Sequence, residues 1–102
     1  MVGTVVCADL DGDGDRDMAA LMVCCTVSSA SPVVIFRNTA GQWRPSFIKT
    51  RFTVFRMFRR GRAVVLKTPR YRRSDGNCCP SSYRYYKVAW SGKRFRFSRT
   101  KP

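Results

Sequence analysis

The chain has 102 residues, twenty Lys/Arg against six Asp, no His and no Glu, and a formal net charge of +14. That length bounds it to one small domain with a modest core, spanning residues 1–102 without a linker. No window reaches 18 consecutive apolar residues, which excludes a transmembrane helix. The absence of His and Glu leaves few general acid–base groups, and a cysteine nucleophile would lack its imidazole partner, so the expectation is a protein that is not an enzyme. Arg outnumbers Lys fifteen to five, and such a surface attracts polyanions.

In chain order, Val2–Ala8 is short and rich in β-branched residues and reads as a strand. It enters a loop, residues 9–17, that holds five of the six Asp residues. Residues 1–17 carry five Asp and Arg16, a net of −4, and residues 18–102 carry nineteen Lys/Arg against Asp75, a net of +18. Met18 to Cys25 is an apolar run that fits a strand or a buried helical turn, and a loop between two such segments favours strand–loop–strand. A Ser-rich turn closes at Pro32. Val33 to Arg37 is the next strand, Asn38 to Gly41 a turn, and Gln42 to Arg44 an extended segment that Pro45 is expected to interrupt.

Arg51 to Phe58 is strongly β-prone, with apolar side chains on both faces. Arg59 to Arg62 reads as a basic turn into the strand Ala63–Lys67, which Pro69 is expected to end. Residues 68–82 form a long polar, Cys-bearing loop of the kind that needs pinning or a function. Tyr83 to Trp90 is a strand, Ser91 to Lys93 a tight turn, and Arg94 to Phe97 alternates basic with aromatic. The tail to Pro102 is expected to fray. Short strands joined by turns predict an all-β fold: a small antiparallel meander, blade-like or a compact sheet or barrel. An aromatic follows a turn Gly in both Gly41-Gln42-Trp43 and Gly92-Lys93-Arg94-Phe95, a weak internal echo.

Three groups of residues carry chemistry. The first is Asp9, Asp11, Asp13, Asp15 and Asp17 at alternate positions. With Asp9 as position one, side chains at one, three and five converge on one ion, Gly14 at six permits the bend, and position seven offers its main-chain carbonyl. An all-oxygen donor set suits a hard cation, Ca²⁺ above others. A helix–loop–helix calcium site would need Glu at position twelve, where Ala20 stands, so Asp17 closes the loop early. A solvated acidic turn is the plainer alternative, and without a metal the protein's own arginines are the loop's next partner.

The second group is Cys24, Cys25, Cys78 and Cys79, with Cys7 apart. Adjacent cysteines rarely bond each other, and the spacing is not that of a zinc site. A long-range disulfide from 24 or 25 to 78 or 79 is expected, implying an oxidising compartment; five buried thiols in a cytosolic chain is the alternative. The third group is basic and aromatic, with Arg59, Arg60, Arg62, Arg70, Arg72 and Arg73 as candidate anion ligands. Arg pairs with phosphates while aromatics stack on bases. Alternating strands would equally place aromatics in the core and Arg in water.

The pattern Asp9-x-Asp11-x-Asp13-Gly14-x-x-Asp17 resembles the calcium loops of FG-GAP and VCBS repeats, and the likeness extends over residues 4–47, through Val33 to Asn38, Gly41 and Trp43. The resemblance implies a strand–loop–strand unit of a β-propeller blade. Over nearly the whole chain, Asp75 to Ser81 and Tyr86 to Phe95, with Asp9 to Asp17 and Cys24/Cys25, resemble the LppP/LprE family of actinobacterial lipoproteins. That resemblance implies a secreted or cell-envelope protein, extracytoplasmic, without an established enzymatic role. The expected function is therefore a binding or structural domain with a Ca²⁺-braced loop and an anionic partner such as envelope lipid or glycan. The alternative is a basic β-domain that binds nucleic acid through an Arg/aromatic face.

Overall fold

A computed structural model describes residues 2–22, 32–50, 53–54, 56–70 and 82–102. Its secondary structure is antiparallel β throughout, with eight strands among these residues: β1 Val2–Ala8, β2 Asp17–Met22, β3 Val33–Thr39, β4 Gln42–Lys49, β5 Arg56–Arg60, β6 Ala63–Arg70, β7 Ser82–Trp90 and β8 Phe95–Thr100. They form two four-stranded sheets, β1-β2-β3-β4 and β5-β6-β7-β8, each a meander in chain order. No described segment is a helix long and apolar enough to cross a membrane.

Both prolines expected to break strands lie inside them. Pro45 sits in β4, opposite Phe36, where the register slips by one residue after the Ile35–Phe47 pair. β4 is an edge strand with a bulge at that point, and such a place tolerates a residue that cannot donate to the ladder. Pro69 sits in β6 opposite Tyr83. The described pairing with β5 reaches only Lys67, so at Pro69 β6 has one strand neighbour among the described residues. Turns are also tighter than expected: β3 runs through Asn38 and Thr39, and Ala40 (φ 53°) and Gly41 (φ 85°) make a two-residue turn. Positive φ at both central residues matches the twist of a hairpin. β5 likewise absorbs Arg59 and Arg60, leaving Gly61-Arg62 as the turn. The C-terminal tail is paired up to Thr100, opposite Tyr85, and Arg60 Nη1 donates to the Lys101 carbonyl at 2.9 Å.

Strand alternation gives each sheet one face for the core. In the first sheet that face carries Ala19, Leu21, Val33 and Ile35; in the second, Met57, Val64, Leu66, Val88 and Phe95, and together they form one buried cluster. The sheets come closest at β1 and β5. Aromatic pairs stiffen the second sheet's inner face: Tyr86 stacks on Phe97 at 4.8 Å, and Trp90 meets Phe95 edge-on at 5.0 Å. Two cations of the first sheet lie over these rings, Arg37 over Trp90 at 4.3 Å and Lys49 over Phe97 at 4.6 Å. Ala20 and Val65 are buried yet belong outside that cluster, because their strand positions point to the opposite, outer faces.

Candidate functional site

The acidic loop joins β1 to β2 and is held at three points. Leu10, 1% exposed, drops into the core between two Asp residues. Asp17, fully buried, is the hub: its Oδ2 accepts the N–H groups of Leu10 (2.9 Å) and Asp11 (3.2 Å), and its Oδ1 accepts that of Asn38 at 3.0 Å. A buried carboxylate is tolerable only when hydrogen-bonded in this way. It ties the loop to the β3–β4 hairpin. Asp9 accepts from Gly12 (2.8 Å) and Gly14 (3.1 Å), which sit at φ 78° and 92°. Those left-handed conformations curl the backbone around the carboxylates, as expected at Gly14 and unforeseen at Gly12. Asp11 accepts from the Asp13 N–H, and Asp13 from that of Asp15.

Asp9, Asp11, Asp13 and Asp17 each offer a carboxylate oxygen, and these oxygens lie within 4.8 Å of one another. Oxygens at opposite sides of a Ca²⁺ ion, each about 2.4 Å away, would be separated by about that distance. The donor set and its dimensions therefore fit a hard divalent cation. Asp15 is exposed, and its side chain stands outside the group; the position-seven reading asks of it only a main-chain carbonyl.

The protein's own arginines approach the loop. Arg37 Nε donates to Asp11 Oδ2 at 2.8 Å, with the Asp11 side chain almost wholly shielded from solvent. Burial works against the charged form of Asp11, but hydrogen bonds from Arg37 and Asp13 and the Arg37 charge outweigh it, holding the carboxyl below its ordinary value. Asp13 moves the other way. The Asp15 N–H favours its charge, yet desolvation and the neighbouring Asp11 and Asp17 carboxylates prevail and raise it. That repulsion is what a bound cation would relieve. Arg62, from the β5–β6 turn, reaches over Gly12, where an added Cβ would meet its Nη1 at 2.8 Å. A cavity of about 140 Å³ between loop and second sheet is lined by Leu10, Asp11, Arg62, Ala89 and Trp90.

The candidate anion ligands are divided. Arg59 pairs with Val64 on the core-side parity of β5, Arg60 lies on the outer face, and Arg62 turns toward the acidic loop. Arg70 is exposed at the end of β6, and Arg72 and Arg73 lie outside the described residues. So do Cys24, Cys25, Cys78 and Cys79, the disulfide candidates; Cys7 is an exposed free thiol.

The outer face of the second sheet assembles a basic surface that no contiguous stretch announces. In register lie Arg56–Lys67–Tyr85, then Phe58–Val65–Lys87–Ser98, with Arg60 beside Ala63 and Arg96 beside Ala89. No acidic residue occupies these rows. Arg56 and Arg60 both lie over the Phe58 ring, at 5.4 and 5.7 Å, and Lys67 over Tyr83 at 4.1 Å. In β8 the aromatics do turn inward, with Phe95 and Phe97 to the core and Arg96 to solvent. Phe58, Tyr83 and Tyr85 instead share the outward face with the cations.

Fold and sites define a class, a two-sheet all-β domain with an Asp-rich loop at one end and a basic outer sheet. The chain matches no protein-family model, no curated protein and no solved structure.

Proposed function

We propose that this chain is a non-enzymatic, secreted or envelope-associated binding domain whose second sheet engages an anionic polymer or surface, with the Asp loop braced by Ca²⁺. The observation that carries the reading is the charge segregation. Arg56, Arg60, Lys67, Lys87 and Arg96 share one sheet face without an acid among them, while five Asp residues are confined to residues 9–17. A rigid sheet presenting fixed cations binds polyanions by displacing their counterions. The loop serves as a clamp: Asp9, Asp11, Asp13 and Asp17 would hold the ion, which supplies positive charge that offsets their repulsion. Asp17 extends that clamp to Asn38.

The partner class is envelope lipid headgroups or acidic glycan, in keeping with the LppP/LprE resemblance. A second reading, single-stranded nucleic acid, is favoured by Phe58, Tyr83 and Tyr85 on the same face, since rings beside cations can stack on bases. Co-sedimentation with anionic vesicles and acidic polysaccharide, alongside a gel shift with single-stranded nucleic acid, distinguishes them. Binding should weaken with salt, and Arg56→Gln/Arg60→Gln/Lys87→Gln should lower the salt slope by about one for each phosphate that no longer meets a cation. Failure to bind any polyanion at low salt would refute the reading.

A further inference from the structure

β8 turns one edge toward β7 and the other toward a cleft. Ser91 N donates to the Arg94 carbonyl at 2.8 Å, so Ser91 and Arg94 are a hydrogen-bonded pair and Trp90–Phe95 is a non-hydrogen-bonded one. Antiparallel pairing alternates from there. Arg96 and Ser98 bond to β7 through their main chain, opposite Ala89 and Lys87, while Phe95, Phe97 and Arg99 turn their N–H and C=O groups outward. Among the described residues β8 ends its sheet, and Arg94, Arg96, Ser98 and Arg99 are exposed along it. The cleft, of about 600 Å³, is lined by Phe47 of β4 and by Arg94, Phe95, Arg96, Phe97 and Ser98. Consecutive residues from both sides of the strand line it, as they do when a cleft follows a strand's edge instead of one face.

We propose that β8 takes up an extended acidic peptide of a partner protein as a fifth strand of the second sheet. Outward main-chain groups repeating along a strand are matched in full only by another extended chain, so the edge selects the conformation of its ligand. The side chains select its composition. Arg94 and Arg96 point to the outer side, with Lys87 one strand away opposite Ser98, and residues 82–102 contain no acid. Asp or Glu at the outer positions of an added strand would therefore face cations. The alternate positions point inward, where half-buried Phe97 and Phe47 line the cleft, and suit apolar side chains. The same charges turn away a second copy, because pairing β8 with β8 sets two cationic strands side by side. The strand across the cleft, β4, is blunted as an edge by Pro45 and its bulge. The proposal does not rest on polyanion binding by the outer face.

The test titrates a six-residue peptide of alternating Glu and Val, capped at both ends, into the full chain at low salt, followed through the amide resonances of β8. The expected result is saturable binding that slows hydrogen exchange at the Phe95 and Arg99 amides. A peptide of the same composition in two blocks, three Glu then three Val, should bind about tenfold more weakly or worse. N-methylation of one alternate set of peptide residues should abolish binding and of the other set be tolerated, because only one set turns its N–H toward β8. Arg99→Pro removes an outward N–H without touching the β7 ladder, and should weaken binding about tenfold more than Arg99→Gln. The N-methylated peptides use the unsubstituted chain, so that measurement stands if the proline variant fails to fold. Arg56→Gln/Arg60→Gln, on the far strand of the sheet, should preserve the preference for the alternating peptide whether or not polyanion binding survives. Equal binding of the alternating and block peptides would overturn the proposal, since charge alone would then suffice, and so would equal tolerance of both N-methylated sets. Slowing of the same amides by raised protein concentration without peptide would give the edge to a second copy and overturn it equally.

Discussion

The two sheets share one topology and differ in what they turn outward. Both are four-stranded antiparallel meanders, and both contribute apolar side chains to a common core. The first sheet's outer rows run Val5–Ala20–Val34–Ile48; the second's run Arg56–Lys67–Tyr85 and Phe58–Val65–Lys87. Topology therefore follows from turns and β-propensity, whereas surface chemistry follows from the residues at the other alternate positions, which the core leaves unconstrained. The loops differ as well. The β1–β2 connection is an eight-residue acidic loop, residues 9–16, closed by the buried Asp17 at the start of β2, while the β5–β6 connection is the two residues Gly61-Arg62. The first sheet thus depends on a polar clamp that the second lacks.

The sharpest way to break that difference is at the clamp. Asp17→Ala strands three N–H donors, of Leu10, Asp11 and Asn38, with the first in the buried core. Stability should fall by about 3 kcal/mol or more, read from denaturant unfolding at fixed slope. Asp17→Asn, which keeps one acceptor oxygen, should lose less. A loss of under about 0.5 kcal/mol for the alanine variant would mean that the hub is dispensable.

Next in size is the cation. Ca²⁺ at a hundredfold excess over its dissociation constant should stabilise the fold by about 2.7 kcal/mol, raising Tm by about 10 °C or more for a chain of this length. EDTA should reverse the shift. Asp13→Ala should abolish the response to Ca²⁺ without unfolding the protein, since Asp13 is exposed. Identical melts with EDTA and with Ca²⁺ would leave the loop's counter-charge, among the described residues, to Arg37 and Arg62.

The smallest effect is electrostatic. Asp11 has a lowered carboxyl pKa and so contributes stability that is full above the ordinary carboxylate value and is lost as pH falls through its folded value. Asp13, raised by its neighbours, does the reverse: its charge costs stability above its folded pKa, and protonation relieves that cost. Acid titration of the metal-free protein should therefore show partly cancelling effects. Arg37→Gln removes the Asp11 contribution, worth under about 1 kcal/mol for a pair with one partly exposed partner. Asp13→Asn should make the Asp11 contribution more visible and raise stability at neutral pH without cation. An unchanged acid limb in Arg37→Gln would show that the pair contributes nothing.

Much of the strand pattern was readable from residue types, because β-branched and aromatic runs separated by Gly, Asn and Ser turns leave few alternatives. Pro45 and Pro69 misled because a proline's effect depends on whether its position needs to donate to a neighbour, and edge or half-paired positions do not. The Asp loop was readable as a converging set, since alternate spacing and glycines are local properties. Its closing partners were not: Arg37 lies 26 residues from Asp11 and Asn38 lies 21 from Asp17, and no local pattern links them. The repeated Gly-then-aromatic motif was visible, but its meaning was not. Trp43 pairs with Asn38 and is 51% exposed, whereas Phe95 pairs with Trp90 and is 6% exposed. The intervening turns have two and four residues, and a change in register moves a side chain to the other face.

By itself, then, the sequence determined the all-β class, the strand–loop–strand unit and the cluster of carboxylates, because period-two patterning, turn residues and Asp spacing act over a few positions. Only the tertiary structure decided that Asp17 is the buried hub, that the Arg59–Arg62 run is divided among three surroundings, and that one outer face is apolar and the other basic. Those outcomes depend on cross-strand register and on which face of each sheet meets the other, relations between residues far apart in the chain.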